Sequence, residues 1–557
     1  MSLLALDVAH ADWSVPFHYI NPFPRVGCSD IYHMLQHVQA LCEQGWSGQS
    51  TRIGFPGTQD DRDFPAADLL HHALLWLISR GGWSFGFTIN SYYVLGFALT
   101  GASAAGVARQ LGYSVAGSLA IAVLYACLPY HFMRGQSHLL LSAYFVVPCT
   151  VLTAVWLAES KPFTVRRRLT PTGWFVVLTG GLTGLAGVYY AAFALLFIVC
   201  GAGVATTLGP RRLSRDVLVP LLSIVAGLGI CAVPYVMHRI TAGPNSLAVI
   251  RPGTDIEESA LKLVQMVIPV PRHRLPMLAA VTASYENASP FVNENAAAAL
   301  GIVGTAGLIL LLAVSAGFCP KLADSRRIRI LASFNLVGLL YATHGGFGVL
   351  PALVTTPLLR GSSRVVVYLA FFSLLAICAW VESAKPWICS RSPKLAWWIV
   401  MACLTVGGLW DQVSPSFRPH HRAIRARHAD DARFGAELER TLPPMAAVFQ
   451  LPFVSYPEGG FGDYQHFRPV LHTRTLRFSY GAMRGRQADA LNNELANRLV
   501  SRDDSAIEAL RRVEYLAILI DRAIGHDPAF ERWLGATLGS PWFQSSDARY
   551  AVFDLRK

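Results

Sequence analysis

From residue 84 to residue 412 the chain alternates apolar runs of about 15–22 residues with short polar turns, and beyond 412 that rhythm stops. A helix crossing the hydrocarbon core of a bilayer needs roughly 20 apolar residues. The pattern therefore predicts ten spans, at 84–107, 114–129, 138–157, 172–187, 189–208, 216–236, 296–317, 328–343, 364–382 and 396–412. Several are short for a straight crossing. The pair joined by GGLTGLAGVYYAAF reads either as two spans or as a broken, re-entrant hairpin. After 412 the apolar runs shorten: PMAAVFQLPF and VEYLAILID read as buried strands, QADALNNELANRLV and DSAIEALRRV as helices, and DARYAVFDLRK as an edge strand. The predicted class is a polytopic α-helical membrane protein carrying a small C-terminal α/β domain. Its divisions are an acidic first loop with surface helices (1–83), a transmembrane region (84–412) and an extracytoplasmic α/β domain (413–557).

Charge gives the orientation. The loops ESKPFTVRRRL (159–169), GPRRLSR (209–215), PKLADSRRIR (320–329) and SAKPWICSRSPK (383–394) are all basic, and ten spans put them on one side. Lys and Arg concentrate in cytoplasmic loops, so that side is expected to be the cytoplasm. The opposite side then holds residues 1–83, the turn 129–137, the loop 237–295, the turn 344–363 and everything after 412. Only 15% of residues are charged, against roughly 25% in soluble domains, and mean hydropathy is +0.38. The net charge of +12 lies largely in the short loops and the linker VSPSFRPHHRAIRARH (413–428), so it argues for lipid headgroups and against nucleic acid. The first 83 residues carry four arginines against eight acids and no signal-peptide pattern. Their export by the span behind them is awkward, and a further helix is expected upstream of Met1. Of the 10 cysteines, only Cys28 and Cys42 are placed to pair outside the membrane. None follows residue 412, so the last domain is neither a disulfide scaffold nor a zinc ribbon.

Polar and titratable residues at membrane depth are costly and so are functional candidates. Four clusters stand out, all on the expected outer face. In GCSDIYHMLQHVQALCEQGW, Asp30 precedes an amphipathic helix, where it serves equally as a helix cap or as a reactive carboxylate. His33 and His37 on the same helix have the spacing of a metal pair without a third ligand. In FPGTQDDRDFPAADLLHHALLWLISR, Asp60, Asp61 and Asp63 crowd together and need a cation, an arginine or a hydrogen-bonding turn. The apolar helix that follows reads as lying along the membrane surface. In PYHFMRGQSH, His131, Arg134 and His138 supply donors suited to a phosphate or sugar diphosphate at headgroup level. In THGGFGVLPALVTTPLLRGSSR, His344 sits in a Gly-rich turn, and Arg360 and Arg364 share a helical face that suits either phosphate or interface anchoring. Asn293-Glu294-Asn295 in the long loop has no spacing that names a role. HTRTLRFSYGAMRGR (472–486) mixes arginines with aromatics. No GxSxG, P-loop or Rossmann fingerprint occurs in its proper context.

Three stretches, LPYHFMRGQSHLLLSAYFVVP, FPGTQDDRDFPAADLLH and FQLPFVSYPEGG followed by DYQHFRPVLHTRTLRFSYGAMRGR, together with the acidic first loop and C-terminal outer domain, resemble the GT-C superfamily of membrane glycosyltransferases. Within it the nearest group is the bacterial YfhO-like or sugar-translocase-like one. The resemblance covers nearly the whole chain. It implies transfer of a hexose or pentose from a polyprenyl-phosphate donor to a glycan, lipid or protein acceptor, in envelope or surface-glycan assembly. By position it makes Asp30 the general base, with Asp60, Asp61 and Asp63 competing. On side and chemistry, His131, Arg134, His138, His344, Arg360 and Arg364 would bind the departing phosphate. A divalent cation (Mg or Mn) and metal-free chemistry both remain open. The competing class is a glycolipid transporter or flippase, in which the same residues bind headgroups without chemistry. Spans apolar in their centres, with polar residues on one side, favour the transferase.

Overall fold

The computed structural model describes residues 5–23, 30–46, 48–64, 68–208, 215–250, 254–319, 322, 324–354, 359–386, 388, 394–457, 459, 464–525 and 527–556. Cys28 and most of the basic loop 209–215 lie outside them. The N-terminal segment contributes α1 (Asp30–Gln44), a small hairpin of β1 (Gln49–Ser50) and β2 (Gln59–Asp60), and α2 (Leu69–Ser79). Among the described residues, ten helices then stand where the apolar runs predict them. They are α3 (Phe85–Gln110), α4 (Val115–Ala126), α5 (Val147–Ala158), α6 (Pro171–Ala186), α7 (Val188–Leu208), α8 (Leu218–Ala242), α9 (Gly301–Ser315), α10 (Arg326–Ala342), α11 (Val366–Ser383) and α12 (Lys394–Gln412). Among the described residues, five continuous helical stretches are long and apolar enough to cross a bilayer: 85–110, 115–134, 188–207, 218–242 and 362–383. At 1.5 Å per residue, α2 is too short to span, and it exposes Trp76 and Leu77, as a helix lying on the membrane surface would.

The side-chain contacts sort the helix ends into two groups. At one end Arg327 reaches Glu159 at 3.0 Å, Thr164 Oγ1 donates to Asp216 Oδ1 at 2.6 Å, and the Ser114 amide donates to Glu382 at 2.9 Å. The described parts of the basic loops meet here. At the other end Gln412 Nε2 donates to the carbonyls of Leu124 and Cys127, and the Ile302 amide donates to Asp411. The α6–α7 pair forms a hairpin: the chain entering α6 and the chain leaving α7 meet through Thr164 and Asp216, and its apex is Gly187. Gly187 has a φ of +143°, and a Cβ there would stand 3.1 Å from Asp68 Oδ1. Small residues let α6 pack backbone to backbone on α8, since a Cβ on Gly184 would meet the Ile224 carbonyl oxygen at 2.3 Å.

After α13 (His421–Thr441) comes a five-stranded sheet with strands β3 (Ala447–Leu451), β4 (Arg477–Phe478), β5 (Tyr515–Asp521), β6 (Phe543–Gln544) and β7 (Tyr550–Asp554), in the order β4-β3-β5-β7-β6. β4, β3 and β5 run parallel, while β7 is antiparallel to β5 and β6. Helix α14 (Gln487–Val500) and α15 (Ser505–Arg512) cover one face. The sheet also takes in the distant N-terminal segment. Ile53 bridges Phe478 in parallel, the Phe478 amide donates to Arg52 O, and the Gly54 and Phe55 amides donate to Tyr480 O and Phe478 O. Phe55 is buried in the core of this domain, so residues 52–55 of the first loop form part of the last domain's edge.

Candidate functional site

The turn after α4 sorts its own polar residues. Pro129 starts a further helical turn that ends at Gly135, where φ is +51° and a Cβ would lie 2.3 Å from His18 Nδ1. Only glycine fits beneath the N-terminal segment there. Gln136 locks the turn: its amide donates to His18 Nδ1, its side chain accepts from the His18 amide, and it donates to Asn90 Oδ1. His131 points into the bundle, stacked on Phe97 with ring centroids 3.5 Å apart and enclosed by Tyr93 and Tyr144. The structure thus separates His131 from the group in which the sequence places it. Arg134 and His138 turn the other way.

Arg134 is 1% exposed and lies against the Tyr130 ring. It forms an ion pair with Glu294, from the loop ahead of α9. Glu294 also accepts from Arg364 Nη2 at 3.0 Å, and the Arg364 guanidinium lies 4.0 Å from the Tyr189 ring centroid, just past the Gly187 apex. One carboxylate therefore bridges two guanidiniums. Burial alone would raise the Glu294 carboxyl, but Arg134 and Arg364 hold it well below the usual carboxylate range. Beside this trio stands His138, in the turn outside the spans. Burial, with Arg134 next to it, pushes its imidazole down to about 3, so it is neutral at physiological pH. Its Nε2 lies 3.3 Å from Asp30 Oδ2. That contact sets a carboxylate against a neutral ring. Asp30 is the first residue of α1 rather than the residue before it, and its side chain is 38% exposed. Asp30, Arg134, His138 and Arg364 thus come together, although the sequence spreads them over more than three hundred positions.

Arg360 and His344 stand apart from this trio. Arg360 pairs with Asp255, and His344 Nδ1 lies 2.7 Å from Glu257, both acids on the short turn Thr254–Glu258. The acidic turn is a different kind of assembly. Asp60 binds Arg62, accepts from Gln49 at 2.9 Å and lies 3.5 Å from His238. Asp63, 2% exposed, accepts two bonds from Arg486 at 2.6 and 2.8 Å and one from Asn245, with His238 at 3.3 Å. Asp61 accepts from Tyr456 at 2.9 Å and Gln59 at 2.7 Å, with His37 at 3.7 Å. For all of them burial works upward, and the hydrogen-bonding partners outweigh it, leaving each carboxyl below its ordinary value. The turn joins α8, the first loop and the C-terminal domain.

Among the described residues no group of three His, Cys, Asp or Glu side chains is arranged to hold a metal ion. His33 meets the Tyr456 hydroxyl at 3.1 Å and stacks on Tyr464, and His37 Nε2 meets His72 Nε2 at 3.0 Å. Sequence reasoning missed Glu294, Tyr189 and a buried lock in which Asp431 accepts from Tyr19 and, bidentately, from Arg468. For Glu294 the one available signal was an acid in a loop facing the same side as unpaired arginines.

No family model and no curated relative matches the chain. Among solved structures it is similar to the arabinofuranosyltransferase AftD from Mycobacteria, with 13% identity and a TM-score of 0.47, over 96% of this chain and 38% of that one. It is similar to ArnT from Cupriavidus metallidurans bound to undecaprenyl phosphate, with 10% identity and a TM-score of 0.49, over 100% of this chain and 98% of that one. It is also similar to the Archaeoglobus fulgidus oligosaccharyltransferase in complex with Zn and sulfate, with 12% identity and a TM-score of 0.45, over 99% and 72% of the two chains.

Proposed function

We propose that this multi-pass membrane protein is a GT-C type glycosyltransferase that moves a sugar from a polyprenyl-phosphate donor to a hydroxyl acceptor at the outer face of the bacterial cytoplasmic membrane. The observation that carries the reading is the partly exposed Asp30 carboxylate beside neutral His138, next to two arginines bridged by Glu294, at one end of the bundle. The motif resemblance points the same way.

In this reading Asp30 accepts the proton of the acceptor hydroxyl as its oxygen attacks the anomeric carbon. The bond from that carbon to the donor phosphate oxygen breaks, and the electron pair leaves on polyprenyl phosphate. His138, as the Nε2–H tautomer, donates to Asp30 and fixes its orientation. Arg134 and Arg364 stabilise charge developing on the phosphate, where fixed donors in a low-dielectric site act most strongly. Arg360 and His344 add positive potential at the rim while held by Asp255 and Glu257. The acidic turn does not fit a divalent cation, because Arg62, Arg486 and His238 already match its carboxylates.

The test is sugar transfer by the purified protein in lipid, with a panel of polyprenyl-phosphate sugars. Wild type turns over at least one donor, and Asp30→Asn loses about 10²–10⁴-fold in rate with its melting curve unchanged. Full activity in Asp30→Asn removes the base assignment. A wild-type protein that transfers no sugar but moves glycolipid between leaflets replaces the transferase with a transporter.

A further inference from the structure

The bridging carboxylate raises a question that phosphate binding alone does not answer. Arginines meant simply to grip a phosphate gain nothing from a buried anion already bound to both. Yet Glu294 occupies donors of Arg134 and Arg364 together, and at its low pKa it is charged under all physiological conditions. The Nε groups of both arginines have no hydrogen-bond partner among the described residues. The guanidiniums are thus held in place with donors to spare, and their two positive charges face one fixed negative charge. His138 adds none, and Arg360 is matched by Asp255.

We propose that Glu294 is a charge-selecting residue of the lipid-phosphate site, tuning it to the singly charged phosphodiester donor and weakening its hold on the doubly charged phosphomonoester product. The inference rests on the transferase reading above. A sugar-phosphate lipid is a diester with one negative charge. The polyprenyl phosphate left after transfer is a monoester that carries about −1.5 to −2 at pH 7. Arg134 and Arg364 without Glu294 would match the product better than the substrate, and release would slow. With Glu294 in place the net charge of the trio matches the diester, and repulsion from the carboxylate falls roughly twice as heavily on the dianion. Glu294 is in this sense a positioning and selecting residue and touches no reacting atom.

The experiment compares direct binding of a short-chain polyprenyl phosphate with that of its methyl ester, a permanent monoanion, to the full-length protein in lipid at pH 7.5. Wild type binds the two within about threefold of each other. Glu294→Gln shifts the ratio toward the free phosphate by about tenfold and makes polyprenyl phosphate a correspondingly stronger product inhibitor, whereas Glu294→Asp keeps the wild-type ratio. If Glu294→Gln does not fold, the wild-type ratio decides alone: a preference for the dianion of a hundredfold or more overturns the proposal. An unchanged ratio in a folded Glu294→Gln also overturns it, while leaving the transferase reading standing. Binding of neither lipid by wild type removes both.

Discussion

Two carboxylate clusters from the first loop meet different fates. Asp63 and Asp60 are saturated: every oxygen has a partner, and those partners come from α8, from the turn itself and from the C-terminal domain. Asp30 lies 3.3 Å from a neutral imidazole and has more than a third of its surface open. A carboxylate already fully engaged by arginine is a poor proton acceptor, because taking a proton means losing its charge-assisted bonds. It is a good rivet. A carboxylate beside a neutral ring with an open side is the reverse. Crowding of acids in the sequence marks the mechanical joint, and the isolated acid marks the candidate chemistry.

The contrast predicts opposite phenotypes. Asp30→Asn is expected to lose two orders of magnitude or more of turnover at constant stability. Asp63→Asn should leave turnover per folded molecule within about threefold and cost about 2 kcal/mol of stability. That value sits below the usual 3–5 for breaking a buried pair because Arg486 keeps contact with water. Activity assays set beside urea or thermal melts check both, and a matching profile for the two variants would erase the distinction. Next in size, Arg364→Gln should raise the donor KM by about ten- to a hundredfold, and Arg360→Ala by less than threefold, since Arg360 is engaged with Asp255 outside the trio.

The smallest effects are in the pH dependence of stability. Burial pushes His33 down to about 4, below an unfolded value of about 6.5. Its contribution is complete above pH 6.5 and fades as pH falls toward 4, because only the unfolded chain takes up the proton. The Asp63 carboxyl is depressed instead. Its contribution is present above an unfolded value of about 3.9 and is lost as pH falls through the lower folded one. His33→Phe should flatten the upper window and Asp63→Asn the lower, as read from melting temperatures at half-unit pH steps.

The bundle was legible in the sequence because a span depends on some twenty neighbouring residues, and the bilayer imposes their length. All ten helices lie where the apolar runs place them. The exception in detail is the third, which breaks between Leu139–Ser142 and Val147–Ala158. The α/β reading of the last domain held for the same local reason. The site was half legible. Asp30, Arg134, His138 and Arg364 carry chemistry in their residue types alone. Glu294 looks like any loop acid until the fold carries it across 160 positions to Arg134. His131 shows the opposite failure: spacing groups it with Arg134, while the fold packs it against Phe97, Tyr93 and Tyr144. The union of residues 52–55 with the sheet left no trace, since an added edge strand of so few residues has no period to read.

That union also orders the making of the protein. Asn492 and Tyr515 donate side-chain hydrogen bonds to the Phe55 carbonyl, from residues 437 and 460 positions later in the chain. Residues 52–55 therefore cannot complete their pairing until the chain has been made through residue 515. That contact closes only once the last domain has formed, so its completion reports that the intervening helical region is already made. A chain arrested or truncated before residue 477 keeps that segment but never builds β4 to receive it. An unpaired strand beside the apolar Phe55 is what surveillance proteases and aggregation both act upon, which makes the fold its own signal of finished assembly.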